Sequence, residues 1–393
     1  MPGPALNSPV LNEQDFLRLT VKGLWNWLWR EKGLPPSLPS ADGEIAASSL
    51  ESLGLSRESC LSFHQGHSLL FGLESSAPPK PGQTIGEYGE ELRALWNLGE
   101  RVIVFQTSGS TGAPKLVSHE EELLKQEVRA VTGLFRHHSR VLAAVPLNHS
   151  YGFIFGLLLP KFLKTETLDL PPLPTIINQT LQPGDLLVAF PLILSRLTGP
   201  FPKGVTMLSA TAPCPDSLLT SLSDQGAEVV EIYGASETGA VGWRNGPGDF
   251  ELLPHYYRQA EQNLTRLAPN GRGLITIPPL DKLSWSGDRH FRPAGRIDRA
   301  VQVAGINIYP EKIERLILEC PQVKECSVRQ MNPEEGERLK VFVALNDGAD
   351  QAETRRCLLA LFRKLSPPER PGSLKLGLEL PRSPAGKITD WKI

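Results

Sequence analysis

The sequence predicts an α/β protein, a large N-terminal region of βα units around sheets followed by a small α+β unit. Three observations point there. The 393 residues are 40% hydrophobic and 21% charged, enough apolar material for buried cores at a length typical of two or three domains. From about residue 100 to 297, short β-rich apolar runs alternate with helical stretches, the pattern of strands and helices wound around a sheet. Beyond Arg296 the order becomes strand, helix, two strands, helix. The 35 glycines and 35 prolines exceed average usage without reaching low complexity, as in a turn-rich enzyme.

From the N-terminal side, Asp15–Trp29 has apolar residues at helical spacing, and Pro35, Pro36 and Pro39 end the helix. Trp25, Trp27 and Trp29 fall in it; a buried face accounts for them better than a partner surface. Pro78–Gly82 reads as a linker, followed by a helix over Ile85–Trp96 and a strand over Val102–Gln106. Further strands are expected at Val141–Val145, Leu186–Ala189, Gly204–Ser209 and Glu228–Ile232. The small unit reads as a strand Ala300–Ile308, a helix Pro310–Glu319, strands Lys324–Arg329 and Leu339–Leu345, a helix Ala352–Lys364 and the tail Leu380–Ile393.

Composition excludes several functions. A formal net charge of −2 argues against nucleic-acid binding by bulk phosphate neutralisation. The longest apolar stretches, Tyr151–Pro160 and Leu186–Leu194, fall far short of the ~20 residues a membrane span needs. Met1–Phe16 lacks a basic start and apolar run, so no signal peptide is expected and the location reads as cytoplasmic. Five scattered cysteines, none in a Cys-x-x-Cys pair, read as reduced thiols rather than a disulfide frame or a zinc site.

Four segments carry chemistry. Thr107-Ser-Gly-Ser-Thr-Gly-Ala-Pro-Lys115 follows a strand; small residues let backbone amides converge on an oxyanion while hydroxyls and Lys115 add donors and charge. It is not a Walker loop, because Pro114, Lys115 and Leu116 stand where Gly, Lys and Ser or Thr would be needed. Val230-Glu-Ile-Tyr-Gly-Ala-Ser-Glu-Thr-Gly239 runs a strand into a tight turn, placing Glu237 beside Ser236 and Thr238, a set suited to magnesium on phosphates. The third is Gly295-Arg-Ile-Asp-Arg299 with Val303–Pro310, and the fourth Leu380-Pro-Arg-Ser-Pro-Ala-Gly-Lys-Ile388. Taken singly, a Gly-rich turn, a solvated loop acid and a surface lysine would explain them.

In this order, and with a small C-terminal unit opening at the third, the segments resemble the adenylate-forming superfamily of acyl- and aryl-CoA ligases and carrier-protein-loading adenylation enzymes. The resemblance covers roughly residues 100–393. It implies an adenylation domain over 1–297, with 1–80 shortened or atypical, and a mobile lid over 298–393. It implies that a carboxylate attacks the α-phosphorus of ATP and that a thiol then displaces AMP. Thr107, Ser108, Gly109, Ser110, Thr111, Gly112 and Lys115 would wrap the β- and γ-phosphates. Tyr233 and Gly234 would lie at the adenine, Ser236 at the α-phosphate, and Glu237 would hold Mg²⁺. Lys387 would bridge the attacking carboxylate and the ATP oxygens, Asp298 would be the hinge, and Gly305 would line the tunnel for CoA or a carrier protein's phosphopantetheine. For the ribose, Asp281 stands fifteen residues before Arg296, the family's spacing; Asp288, in Ser286-Gly-Asp288, stands only eight before it and is the second choice.

The substrate is read from Pro146-Leu-Asn-His-Ser-Tyr-Gly152, which resembles the segment walling the family's acid pocket, with His149 as its gate or as a core histidine. No acid occurs from Val145 through Leu159, so the ammonium of an α-amino acid would be buried unpaired. Tyr151, Phe153, Ser209, Ala210 and Thr211 point instead to a small aromatic or acyl carboxylic acid. The sequence departs from the family in its short N-terminal region, in Gln302 where many relatives have Lys, and in Ser236 for the commoner Thr. Compactness leans toward carrier-protein loading in a biosynthetic cluster, and the Gly305–Pro310 wording toward CoA ligases. A phosphotransferase or NTPase using the Gly-rich loop, and a non-catalytic binding protein on a ligase scaffold, are the rival readings.

Overall fold

Strands Asp185–Ala189 and Thr206–Ser209 are buried at every residue. Runs buried on both faces belong in the middle of a parallel sheet with helices packed on it. The computed structural model describes residues 9–32, 42–107, 115–259, 263–277, 281–297, 300–303, 306–332, 334–382 and 388–393, with the backbone alone for residues 29–32, 42, 43, 107 and 296. Its largest sheet has nine strands in the order Asp281–Trp285, His290–Arg296, Phe250–Leu252, Gly239–Asn245, Glu228–Ala235, Thr206–Ser209, Asp185–Ala189, Arg140–Ala143 and Glu166–Asp169. The last five strands are parallel, while Gly239–Asn245 runs antiparallel to Glu228–Ala235, Phe250–Leu252 to Gly239–Asn245, and His290–Arg296 to Phe250–Leu252. Leu142, Leu187, Met207 and Val229 from the parallel strands pack with Ile177, Leu219 and Leu222 from helices Pro174–Thr180 and Asp216–Asp224.

The chain divides into two compact units. One holds residues 1–107, 116–278 and 285–292; the other holds 108–115, 279–284 and 293–393. In the first, helix Glu13–Lys32 brings Phe16 to 4.5 Å from Phe71 and 5.6 Å from Trp96 of helix Ile85–Leu98. Thr84 and Glu87 form a capping box at the start of the latter helix. Pro78–Gly82 is therefore an exposed turn within one unit, because the helices on either side of it share a core. Strands Val102–Thr107 and Lys115–Glu120 form a two-stranded sheet that leads into helix Glu121–Thr132. The expected alternation of strands and helices ends near residue 239. From there to residue 296 the described elements are all strands, including a three-stranded antiparallel sheet of Tyr256–Arg258, Leu264–Leu267 and Leu274–Ile277.

In the second unit, Ala300–Ile308 is not one strand but two. Val301 pairs with Ile308 and Val303 with Ile306, so the chain reverses between them. Strands Val323–Gln330 and Leu339–Leu345 are antiparallel, and Ser373–Gly377 adds alongside the latter in parallel. Helices Pro310–Leu318 and Gln351–Lys364 cover this sheet through Ile313, Ile317, Leu358 and Phe362. Lys340 is fully buried in the middle strand and donates to Glu335 at 2.6 Å, Asp390 at 3.0 Å and the Trp391 carbonyl at 2.8 Å. Among the described residues no helix is long and apolar enough to cross a membrane.

Candidate active site

Loops past the carboxyl ends of parallel strands are where α/β sheets bind ligands. Strand Glu228–Ala235 ends in such a loop and returns as Gly239–Asn245, with a register shift between Tyr233 and Gly234. Thr238 holds the turn: its hydroxyl accepts from the Ala235 amide at 3.0 Å and donates to the Gly239 carbonyl at 2.8 Å. Tyr233 is half-buried, its ring 5.2 Å from Phe291 and 5.7 Å from Phe250. Glu237 is half-buried at the apex. His119 donates from Nε2 to the Ser236 carbonyl at 2.5 Å. Burial pushes the His119 imidazole below its ordinary range while that carbonyl pulls it up, so a neutral ring serves as donor.

The Pro146–Ser150 segment meets this turn, since the Ser150 and Ser236 hydroxyls lie 3.2 Å apart. His149 is half-buried beside them. The chain then enters a π-helical turn, Gly152–Leu158, a form common at functional sites. Gly152 is required there, because a Cβ would lie 2.1 Å from the Pro146 carbonyl oxygen. Tyr151 donates its hydroxyl to Leu208 O at 2.7 Å and Ala189 O at 3.2 Å, tying the segment to the ends of two parallel strands. Phe153 is fully buried, edge-on to Phe105 at 5.6 Å. On the other side, Ser209 and Ala210 are buried and Thr211 adopts φ +76°, a strained conformation for a β-branched residue. Glu231 and Arg244 anchor the chain just past Thr211: Glu231 accepts from the Cys214 amide at 2.9 Å, and Arg244 donates to the Cys214 carbonyl at 2.8 Å.

The structure thus brings together Tyr233, Ser236, Glu237, His149 and Ser150, with Tyr151 joining them to the strand that carries Ser209. Lys115 opens strand Lys115–Glu120 and is exposed. Asp281 opens strand Asp281–Trp285 in the second unit, while Asp288 lies in an exposed turn of the first. Thr107 and Arg296 end strands, and their side chains lie outside the described set. Ser108, Gly109, Ser110, Thr111, Gly112, Asp298, Gly305 and Lys387 lie outside the described residues. A cavity of about 450 Å³ is lined by Ala130, Leu134, Trp243, Glu251, Leu253 and Tyr257 among others, and by none of the expected site residues.

Sequence reasoning missed His119, Glu127, Glu231, Arg244 and Arg266. One signal was present. Leu124, Val128 and Val131 form the buried stripe of helix Glu121–Thr132, and Glu127 falls on that stripe at helical spacing.

The AMP-binding enzyme family matches residues 97–262, and the AMP-binding enzyme C-terminal domain matches residues 312–387. A 4-coumarate–CoA ligase of Halorhodospira halophila is 36% identical over 293 residues, 73% of this chain and 74% of that protein. One from Rhodobacter capsulatus is 36% identical over 299 residues, 73% and 75% of the two chains. Among solved structures, the amide bond synthetase McbA from Marinactinospora thermotolerans shares the fold, with a TM-score of 0.61 at 19% identity over 95% of this chain and 92% of that one. With both domains matched in order, and relatives of this similarity over most of their length, the chain belongs to the AMP-binding, adenylate-forming family of enzymes.

Proposed function

We propose that the protein is an AMP-forming acid–thiol ligase. It activates a small aromatic or acyl carboxylic acid with Mg-ATP, releases pyrophosphate, and passes the acyl group to a pantetheine thiol. CoA is the first acceptor to test and a carrier protein the second, because the relatives at 36% identity are named CoA ligases. The observation that carries this reading is the approach of Ser150 to Ser236 at 3.2 Å across 86 residues of sequence. It joins the segment of His149 to that of Glu237 at the carboxyl ends of the parallel strands.

The first step brings two anions together, so the site must neutralise charge and hold an in-line geometry. In this reading Tyr233 lies against the adenine, Ser236 touches the α-phosphate and the Thr107–Lys115 loop wraps the outer phosphates. Magnesium binds through one or two carboxylates plus phosphate oxygens and water, so the single carboxylate of Glu237 fits it. Asp281, with Arg296, takes the ribose hydroxyls, and Asp288 is the alternative. Lys387 neutralises charge that develops between carboxylate and phosphate, and therefore acts on rate more than on binding. Asp298 serves as the joint of the small unit, and Gly305 lines the thiol path. His149, Tyr151, Phe153 and the Ser209–Thr211 segment form and back the acid pocket.

The test is acid-dependent ATP–pyrophosphate exchange over a panel of aryl, fatty and hydroxy acids, 4-coumarate included, followed by CoA and holo carrier protein as acceptors. The expected products are AMP and pyrophosphate. ADP and phosphate would favour a phosphotransferase, and silence across the panel a non-catalytic scaffold.

A further inference from the structure

The backbone of the turn that carries Ser236 and Glu237 is held at residues 236, 238 and 240 by buried side chains. His119 takes the Ser236 carbonyl at 2.5 Å. The Thr238 carbonyl accepts from the Tyr256 hydroxyl at 2.5 Å and from Arg266 Nη1 at 3.4 Å. Glu127 Oε1 accepts from the Ala240 amide at 2.8 Å. Gly239, at φ +70°, lets the backbone press on the same carboxylate: a Cβ there would lie 2.2 Å from Glu127 Oε2. Glu127 and Arg266 are each only 3% exposed, and Tyr256 is fully buried.

An acid on the apolar stripe of a helix is costly unless its oxygens and charge are matched. Here Oε1 is met by the Ala240 amide, and the Arg266 guanidinium offsets part of the charge through space. Arg266 is held in turn by Gln126 Oε1 at 2.7 Å and the Leu123 carbonyl at 2.8 Å, both from Glu127's own helix. Burial drives the Glu127 carboxyl up to about 7, with Arg266 and the Ala240 amide pulling it down, so at pH 8 the carboxylate is present.

We infer that Glu127 is a positioning residue for the nucleotide turn: it sets the backbone of residues 236–240, and through them the affinity for Mg-ATP, without touching the nucleotide. His119, from the strand preceding the same helix, is its partner in this task. The inference rests on reading Ser236 and Glu237 as nucleotide contacts.

Calorimetric titration of the full chain with Mg-ATP at pH 8, without acid substrate, tests it. Glu127→Gln keeps an acceptor for the Ala240 amide but loses the charge opposite Arg266; Glu127→Leu loses both. The expected order of affinity is wild type, Gln, Leu, with Leu weaker than wild type by about tenfold or more while the circular dichroism spectrum is unchanged. In turnover assays the loss should appear in KM for ATP more than in kcat. Gly239→Ala should weaken binding as well, and by less when combined with Glu127→Ala, because the clashing carboxylate is then absent. A role confined to folding would move the melting temperature and leave the Kd alone. A Kd within about twofold of wild type in the folded variants overturns the inference; if the Leu variant does not fold, the Gln and Gly239 variants decide. Failure of the wild type to bind Mg-ATP overturns the functional reading and the inference with it. Binding by the wild type with unaltered variants overturns the inference alone.

Discussion

Arg244 Nη2 lies 2.6 Å from the Glu231 carboxylate, and both side chains are at least nine-tenths buried. Burial raises the Glu231 carboxyl above its ordinary range, and Arg244 holds it back. Removing one partner of such a pair strands the other, which costs about 3–5 kcal/mol. Arg244→Ala should destabilise the first unit by that order in urea unfolding. It should also raise KM for the acid, because Arg244 and Glu231 together hold both backbone groups of Cys214 beside Thr211. A midpoint unchanged from wild type would show that the pair carries little stability.

Lys387→Ala should bind Mg-ATP normally yet form acyl-adenylate about 10²–10³ times more slowly, the usual loss when a transition-state charge partner is removed. Pyrophosphate release with isotopic exchange measures it. A near-native rate would remove Lys387 from the first half-reaction.

Acid sensitivity should track buried histidines. Burial pushes His67, which hydrogen-bonds Thr20 and stacks on Phe63, down to about 3. The unfolded chain takes a proton there near 6.5. Between these values the unfolded state binds more protons, so this stability is complete above pH 6.5 and is lost on acidification, by about 1.4 kcal/mol per unit. His255, also at about 3, acts in the same direction. Glu127, raised to about 7 from 4.5, acts oppositely, losing stability as pH rises through that interval. Two histidines outweigh one acid, so stability should fall from pH 6.5 downward. His67→Gln should flatten the slope of unfolding free energy below pH 6.5 by about 1.4 kcal/mol per unit; parallel slopes would contradict it.

Gly152→Ala should cost about 3 kcal/mol, the upper end for overpacking, since the new methyl meets backbone rather than a movable side chain. Chemical unfolding measures the loss, and the acid's KM should rise with it. An unaltered unfolding midpoint would mean that the π-helical turn has slack.

Local features were legible in the sequence and tertiary ones were not. The strand ends and the Tyr233–Gly239 turn could be read because a turn and its flanking strand are neighbours in the chain. His119 and Glu127 could not be paired with Ser236 and Ala240, from which they stand 117 and 113 residues away. Glu127 was visible as an acid on an apolar stripe, but not its partners. Ala300–Ile308 looked like one strand because both arms of its hairpin alternate β-branched apolar residues with a polar one, Gln302 or Asn307, and register decides the reversal. Phe153 lies in a π-helical turn, which takes more than about 3.6 residues per turn, so side-chain directions there do not follow the ordinary helical periodicity.

The three acceptors of Lys340 have a practical meaning. Two of them, Asp390 and the Trp391 carbonyl, belong to the last four residues. Trimming those residues would leave an ammonium group sealed in the small unit's sheet with Glu335 as its remaining acceptor of the three. The segment 390–393 is thus a structural plug for this sheet, and deleting it should destabilise the small unit in urea unfolding.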